Sequence, residues 1–200
     1  IVAASVVALT KPDLKARLAY STISQLSYVI LGVALLTVDG VQGGIAHIAI
    51  HAFSKITLFF CAGAIYVTTH KKNLADMHGL GRSMPWTFAA FGVASLSMIG
   101  APPVAGFVTK WKLLAGAMEM PAHSLAILCV LLASTVLNVA YCAPVTYHAF
   151  FGRRPEGEAQ AGVREAHPAM LAPLLVTATI SVLIGLFPGP LMSLVKAVMP

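Results

Sequence analysis

Apolar runs of about 20 residues, separated by short polar loops, constrain this chain more than any other feature. A helix needs roughly 20 apolar residues to cross a bilayer, and the 200 residues contain several such runs. Only 10% of the residues are charged, whereas a soluble domain carries about 25%. The sequence therefore predicts an all-α, polytopic membrane bundle and excludes a water-soluble domain.

The runs suggest three segments. Residues 1–17 form the end of a helix and a basic loop, residues 18–151 form the main helical unit, and residues 152–200 form a polar loop and a final helix. A turn is expected at 37–44, where TVDGVQGG lies. The first residues have neither Met nor a charged n-region, so we expect no signal peptide and a missing N-terminal part.

The basic loops decide how the long stretch 85–120, interrupted by APPVAG, crosses the membrane. Loops 10–17, 70–83 and 152–167 hold nine of the 13 basic residues. One broken crossing places all three loops on one face, as the positive-inside rule requires, whereas two crossings would place the third loop opposite. The pattern favours one discontinuous helix and a cytoplasmic location for these loops in a cell, or inner, membrane. The net charge of +6 thus reflects topology, not nucleic-acid binding.

Three ionisable residues lie on one helix face in IAHIAIHAFSK. His47, His51 and Lys55 are spaced i, i+4, i+8, which forms a polar stripe about 12 Å long. Buried ionisable groups in a membrane are functional candidates, and histidine titrates near neutrality. The stripe is therefore a candidate proton path, although satisfied core side chains are the structural alternative. A zinc site is disfavoured, because there is no HExxH glutamate and Lys55 would repel a metal.

The second candidate is Lys110, just after the predicted helix break. Prolines and glycines leave backbone groups unpaired there, and transporters place ion sites at such breaks. Lys112, near the helix end, is a candidate for snorkelling to the headgroups. Glu119 lies towards the far interface, and His148 lies one turn before a basic loop, so both are secondary candidates. No nucleotide, hydrolytic, metal or other cofactor motif is present.

The runs KPDLKARLAYSTISQLSYVILG, GGIAHIAIHAFSKITLFFCAGAI and LADMHGLGRSMPWTFAAFGVASLSMIGAPPVAGFVTKW resemble the antiporter-like subunits of respiratory complex I and Mrp cation/proton antiporters. LLASTVLNVAYCAPVTYHAFFG is most similar to the D-type Mrp subunits. The resemblance implies the second of two inverted five-helix repeats plus a C-terminal helix. It places Lys110 on the broken-helix residue of the output path, His47, His51 and Lys55 on the central axis, and Lys15 on a recurrent basic position.

The resemblance implies a proton-translocating subunit that works with other membrane subunits of one complex and moves H⁺, with Na⁺ or K⁺ exchanged in an Mrp-type antiporter. A subunit of an NADH:quinone oxidoreductase or a membrane hydrogenase is the alternative. A structural or quinone-site subunit is a second alternative, and an intramembrane enzyme is disfavoured because the seven acids lie mostly in loops. The family's first-repeat glutamate and lysine pair is not found in this chain.

Overall fold

The computed structural model describes residues 1–153 and 164–199, and in these ranges the chain is helical, with a single isolated β-bridge between Asp13 and Asn73. Arg154, part of the third basic loop, lies outside the described residues. The helices are α1 (Val2–Thr10), α2 (Leu14–Ala34), α3 (Val38–Thr69), α4 (Pro85–Ile99), α5 (Gly106–Met118), α6 (Ser124–Phe151), α7 (Pro168–Leu186) and α8 (Gly189–Val198).

Within the described residues, three helices are long and apolar enough to cross a membrane: α3, α6 and α7. α4 is apolar but has only 15 residues, and it is continued by α5 after the break. α2 has 21 residues, but its buried face includes Ser21, Ser24 and Gln25. Such polar side chains lower the apolar character of a helix that is otherwise long enough to span.

The turn predicted at 37–44 is wrong, because α3 already begins at Val38. The Thr37 hydroxyl caps the helix by accepting from the Gly40 amide at 3.1 Å, which satisfies a free N–H of the first turn. Glycine in this segment allows α3 to pack closely against α5. A Cβ on Gly43 would lie 3.0 Å from the backbone nitrogen of Leu113 in α5. Small residues allow this close helix approach in membranes.

α3 is the central helix of the bundle and packs against α2, α4, α5 and α7. Its residues Leu58 and Ile65 join Phe88 and Phe91 of α4 in the largest apolar core. α3 ends at Thr69, and His70 follows in the left-handed region with φ 56°. Because α3 contacts both half-helices of the broken segment, its side chains are placed to meet the break.

The polar loops meet at one end of the bundle. The Leu14 amide donates to the Lys72 carbonyl at 3.0 Å, and the Gly79 amide donates to the His148 carbonyl at 3.0 Å. The described part of the third loop joins them through Glu165, which accepts from the Trp86 amide at 2.8 Å. This shared end, called the basic end below, is the arrangement that a single broken crossing requires.

At the opposite end, the start of α3 meets the end of α5. Thr37 donates through its hydroxyl to the carbonyl of Gly116 at 3.3 Å. Lys112 and Asp39 form an ion pair at 2.7 Å, with about 30% of each side chain exposed (29% and 31%). The broken segment therefore starts at the basic end and finishes at the other.

Candidate functional site

The helix break lies between Ile99 and Gly106. Gly100 ends α4 with φ 86°, a left-handed conformation that glycine adopts without strain. At the start of α5, the Gly106 amide donates to the Ser97 hydroxyl at 3.2 Å, and this hydroxyl also accepts from Ser54 of α3 at 2.8 Å. α3 therefore helps to hold the two half-helices in place.

Side chains satisfy the carbonyls that the break exposes. The Met98 carbonyl accepts from Asn138 at 3.3 Å and from Gln25 at 3.4 Å. The next carbonyl, that of Ile99, accepts from the ammonium of Lys110 at 2.7 Å. Helix C-termini carry partial negative charge on their unpaired carbonyls, so the end of α4 is a favourable location for the lysine charge.

Lys110 has two further neighbours in the bundle. Its ammonium lies 3.4 Å from the Thr135 hydroxyl of α6 and 5.2 Å from the centroid of the Tyr28 ring of α2. A cation at this distance from an aromatic ring is stabilised by the ring quadrupole. The structure thus surrounds Lys110 with a carbonyl, a hydroxyl and an aromatic ring from three different helices.

His47 is 3% exposed and makes hydrogen bonds with both ring nitrogens. Nδ1 lies 3.0 Å from the Thr109 hydroxyl, and Nε2 lies 3.2 Å from Oε1 of Gln25. Its ring centroid is also 5.5 Å from that of Tyr28. Thr109, a hydrogen-bond partner of His47, directly precedes Lys110 in the chain. The Tyr28 ring lies beside both the His47 ring and the Lys110 ammonium, so His47 and Lys110 share a local environment.

His51 lies one turn from His47 along α3, and the two rings are stacked with centroids 5.9 Å apart. The residue is 7% exposed, and its Nε2 atom makes no hydrogen bond with any described residue. A buried polar nitrogen normally has a partner. The Nε2 atom of His51 therefore leaves its hydrogen-bonding capacity unused within the described residues.

Lys55, at the other end of the stripe, is 5% exposed. Its ammonium donates to the Leu18 carbonyl at 2.8 Å and to the Ser21 hydroxyl. Both acceptors are neutral groups of α2. The ammonium is thus held by hydrogen bonds near the basic end of α2, without a carboxylate among these partners.

The secondary candidates lie away from this group. Lys112 forms the ion pair with Asp39 described above, and Glu119 is exposed at the end of α5. Lys15 is exposed at the basic end, where its ammonium lies 4.9 Å from the Tyr66 ring centroid. His148 lies beside His78, with the two rings tilted by 34° and their centroids 4.6 Å apart. The structure therefore does not bring these four side chains into the group formed by the stripe and Lys110.

Several polar partners were not singled out in the sequence. In α2 they are Ser21, Gln25 and Tyr28, spaced i, i+4, i+7, and this helical period is the signal that identifies a polar face in an apolar span. Thr109 and Asn138 gave no comparable signal, because their roles depend on how α5 and α6 pack beside the break.

The described residues contain no group of three or more His, Cys, Asp or Glu side chains that could hold a metal ion. The arrangement is instead a series of buried and half-buried titratable and hydroxyl groups. It begins at Lys55 near the basic end, follows α3 through His51 and His47, and reaches Lys110 at the break.

Comparison with known proteins places the chain in a family. A family model described as "NADH:quinone oxidoreductase/Mrp antiporter, TM" matches residues 1–138. The N subunit of the NADH-quinone oxidoreductase of Desulforudis audaxviator is 36% identical over 193 residues, covering 92% of this chain and 38% of the relative. The D subunit of the Na(+)/H(+) antiporter of Alkalihalophilus pseudofirmus is 29% identical over 184 residues, covering 92% and 36%.

Solved structures of membrane complexes contain chains with the same fold. A chain of an archaeal membrane-bound sulfane sulfur reductase superposes with a TM-score of 0.87 at 28% identity, covering 99% of this chain and 32% of that chain. A chain of the Mrp complex of Dietzia sp. has the same fold, with a TM-score of 0.86 at 24% identity, covering 96% and 43%. The chain spans less than half the length of these proteins. It belongs to the NADH:quinone oxidoreductase/Mrp antiporter family of antiporter-like membrane subunits.

Proposed function

We propose that this chain is the proton-translocating part of one subunit in a larger membrane complex. The observation that carries the proposal is the series of buried Lys55, His51 and His47 and half-buried Lys110, in which the last two residues are joined through Thr109 and Tyr28. Burying ionisable groups in a membrane is costly. Four such groups along one series favour proton transfer over simple packing.

His47 and Thr109 can pass a proton without moving the backbone. In the neutral state, Nε2–H of His47 donates to Gln25 while Nδ1 accepts from the Thr109 hydroxyl. When Nδ1 is protonated, it donates to Thr109, whose hydroxyl then donates to the Gly106 carbonyl at 3.2 Å. Both states of the imidazole therefore keep their hydrogen bonds, which lowers the barrier to proton exchange.

In the proposed path, Lys110 binds and releases the proton at the helix break. Its protonated form binds the Ile99 carbonyl, and its neutral form loses the attraction to the partial negative charge there. The arrival of a proton near His47 brings a second positive charge close to Lys110, and like charges repel. In this mechanism, a proton that reaches His47 promotes release of the proton on Lys110, and the proton on His47 then passes to the neutral Lys110 amine, which returns both groups to their starting charge.

The proposed direction follows the charge pattern. The basic end faces the cytoplasm of a cell, or inner, membrane according to the positive-inside rule. Lys55 is then on the cytoplasmic side of the series. Lys110, on α5, leads towards the opposite side.

The relatives support two driving reactions. In an Mrp-type complex, proton movement would be driven by exchange with K⁺ or with Na⁺, and Na⁺ is the ion in the name of the Alkalihalophilus pseudofirmus relative. In an NADH:quinone oxidoreductase, electron transfer in partner subunits would drive it, and the higher identity of the Desulforudis audaxviator relative favours this second candidate. Both reactions require other membrane subunits as partners.

The experiment uses inverted vesicles that carry the full-length parent complex, with proton movement followed by a pH-sensitive dye. Lys110→Ala is expected to abolish coupled proton movement, whereas the control Lys196→Ala, in the terminal helix α8, is expected to keep it. A sodium-dependent wild-type signal identifies an antiporter. A signal that needs a respiratory substrate and no sodium identifies a redox-driven pump.

Equal transport by Lys110→Ala and wild type would contradict the proposal and leave a structural role. Complex assembly is measured in parallel by native gel electrophoresis, because a loss of transport supports the proposal only where the complex is intact.

A further inference from the structure

A cavity of about 220 Å³ lies at the basic end, apart from the proposed proton path. Three lysines line it: Lys15 from the start of α2, and Lys71 and Lys72 from the segment after α3. Among the described residues, the lining includes one carboxylate, Asp13, whose Oδ1 already caps α2 by accepting from the Ala16 amide at 2.8 Å. Lys15 and Lys72 outnumber this carboxylate, so the described lining has an excess of positive charge and suits an anionic ligand.

Backbone contacts hold the lysines together. The start of α2 and the segment after α3 are joined by the Asp13–Asn73 bridge. The Leu14 amide donates to the Lys72 carbonyl at 3.0 Å, and the Leu74 amide donates to the Pro12 carbonyl at 3.1 Å. The backbone segments that carry the lysines are thus held side by side by the fold.

Tyr66 forms one wall and is shared by two of the lysines. The ammonium groups of Lys15 and Lys72 lie 4.9 and 5.2 Å from the centroid of its ring. Tyr66 is in the last turn of α3, and tyrosine is enriched where membrane helices meet the headgroup layer. Lipid headgroups are expected at the ends of a spanning helix such as α3, so the cavity is suitably placed to contact them.

The remaining lining is apolar. Leu14, Ala62 and Met77 are 2%, 3% and 1% exposed. A free inorganic anion gains nothing from such a wall, whereas a phospholipid places glycerol and acyl carbons beside its phosphate. Basic pockets between membrane helices bind anionic headgroups in this way.

From these observations we propose that this cavity binds the phosphate group of an anionic phospholipid, with Lys15 and Lys72 contacting the phosphate oxygens and the apolar floor of Leu14, Ala62 and Met77 lying next to its glycerol and acyl carbons. The site is independent of the proposed proton path. Its occupant is a phospholipid of the cytoplasmic leaflet if the basic end is cytoplasmic.

The test uses the full-length protein in nanodiscs of phosphatidylcholine mixed with phosphatidylglycerol, followed by native mass spectrometry to count retained phosphatidylglycerol. Removing a lysine near an anionic headgroup weakens binding by about fivefold, so Lys15→Gln with Lys72→Gln should weaken retention by roughly 25-fold. The paired variant Lys15→Arg with Lys72→Arg should keep it, because the charge is preserved.

Lys11→Gln is the matched control. Lys11 is also at the basic end, and its ammonium lies 5.0 Å from the Tyr20 ring centroid, but it does not line the cavity. It should retain phosphatidylglycerol like the wild type. An equal loss in this control would overturn the proposal in favour of general surface charge.

Two further results would also overturn it. One is equal retention by the wild type and the double glutamine variant, and the other is loss of retention in the double arginine variant. Added inorganic phosphate distinguishes a lipid phosphate from free phosphate as the ligand of the cavity. The lipid is expected to stay bound. Its displacement by the free anion would identify a soluble phosphate site instead.

Discussion

The ammonium of Lys110 lies 2.7 Å from the carbonyl oxygen of Ile99, the last residue of the half-helix α4. This contact joins the two halves of the broken segment through a group that can gain and lose a proton. The same hydrogen bond stabilises the break and depends on the protonation state of the lysine. A structural role and a transport role for Lys110 can therefore be separated experimentally.

Lys110→Arg is expected to keep the fold and lose transport. Arginine retains a donor for the Ile99 carbonyl but is not deprotonated in proteins. Because positioned proton transfer contributes about 10²- to 10⁴-fold in rate, we expect the initial rate of proton movement in vesicles to fall by at least about tenfold. Thermal unfolding in detergent should remain near the wild-type temperature, and wild-type transport by this variant would show that only the positive charge matters.

Thr109→Val tests the hydroxyl between His47 and Gly106. Valine has nearly the same shape but can neither donate nor accept, so the proton can no longer pass through this position. We expect transport to fall by roughly tenfold or more, while Thr109→Ser keeps the hydroxyl and most of the rate. The readout is the dye signal in vesicles, and equal rates for Val and Ser would rule out a role for the hydroxyl.

Gly32→Ala should destabilise the contact between α2 and α3. A Cβ at Gly32 would lie 2.6 Å from the Gly40 carbonyl oxygen and 2.8 Å from the Gly44 Cα. Overpacking of this kind costs about 1–3 kcal/mol, which should appear as a lower unfolding temperature. Gly63→Ala is the matched control, since a Cβ there meets no atom within 4 Å. A drop of equal size in both variants would contradict the packing explanation.

Glu165→Ala should loosen the start of α4. Glu165 accepts from the Trp86 amide at 2.8 Å and from the Thr87 hydroxyl at 2.6 Å, so it serves as an N-terminal cap supplied by a distant loop. Loss of a cap costs about 1 kcal/mol. Hydrogen exchange at the first amides of α4 should become faster, whereas Glu119→Ala, at an exposed position, should leave it unchanged.

The orientation of the basic end can be read by cysteine labelling. Cys129 is exposed, so it is first replaced by serine to prevent it from reacting with the label. Cys61 and Cys142 are buried and are kept. A membrane-impermeant maleimide should then label Asp76→Cys only from the cytoplasmic side and His123→Cys only from the other side. The reverse pattern would invert the proposed direction of transport.

Much of this protein follows from its sequence, because bilayer length and the cost of buried charge act on local patterns. Apolar run lengths predicted the helices, and the distribution of basic residues predicted one broken crossing. The i, i+4, i+8 spacing placed His47, His51 and Lys55 on one face of α3 before any packing was known. The glycine-rich segment at the start of α3 is where this approach failed, since Gly43 serves close helix contact there and not a turn.

Tertiary structure alone decided which groups meet across helices. The contact of His47 with Thr109, the cap from Glu165 to α4 and the lysine-lined cavity join residues far apart in sequence, and none has a local signature. The physical reason is that hydrogen bonds and cation–aromatic contacts depend on distances of a few ångströms. Those distances are set by how α2, α3 and the broken segment pack, whereas the sequence pattern specifies only the face on which each side chain lies.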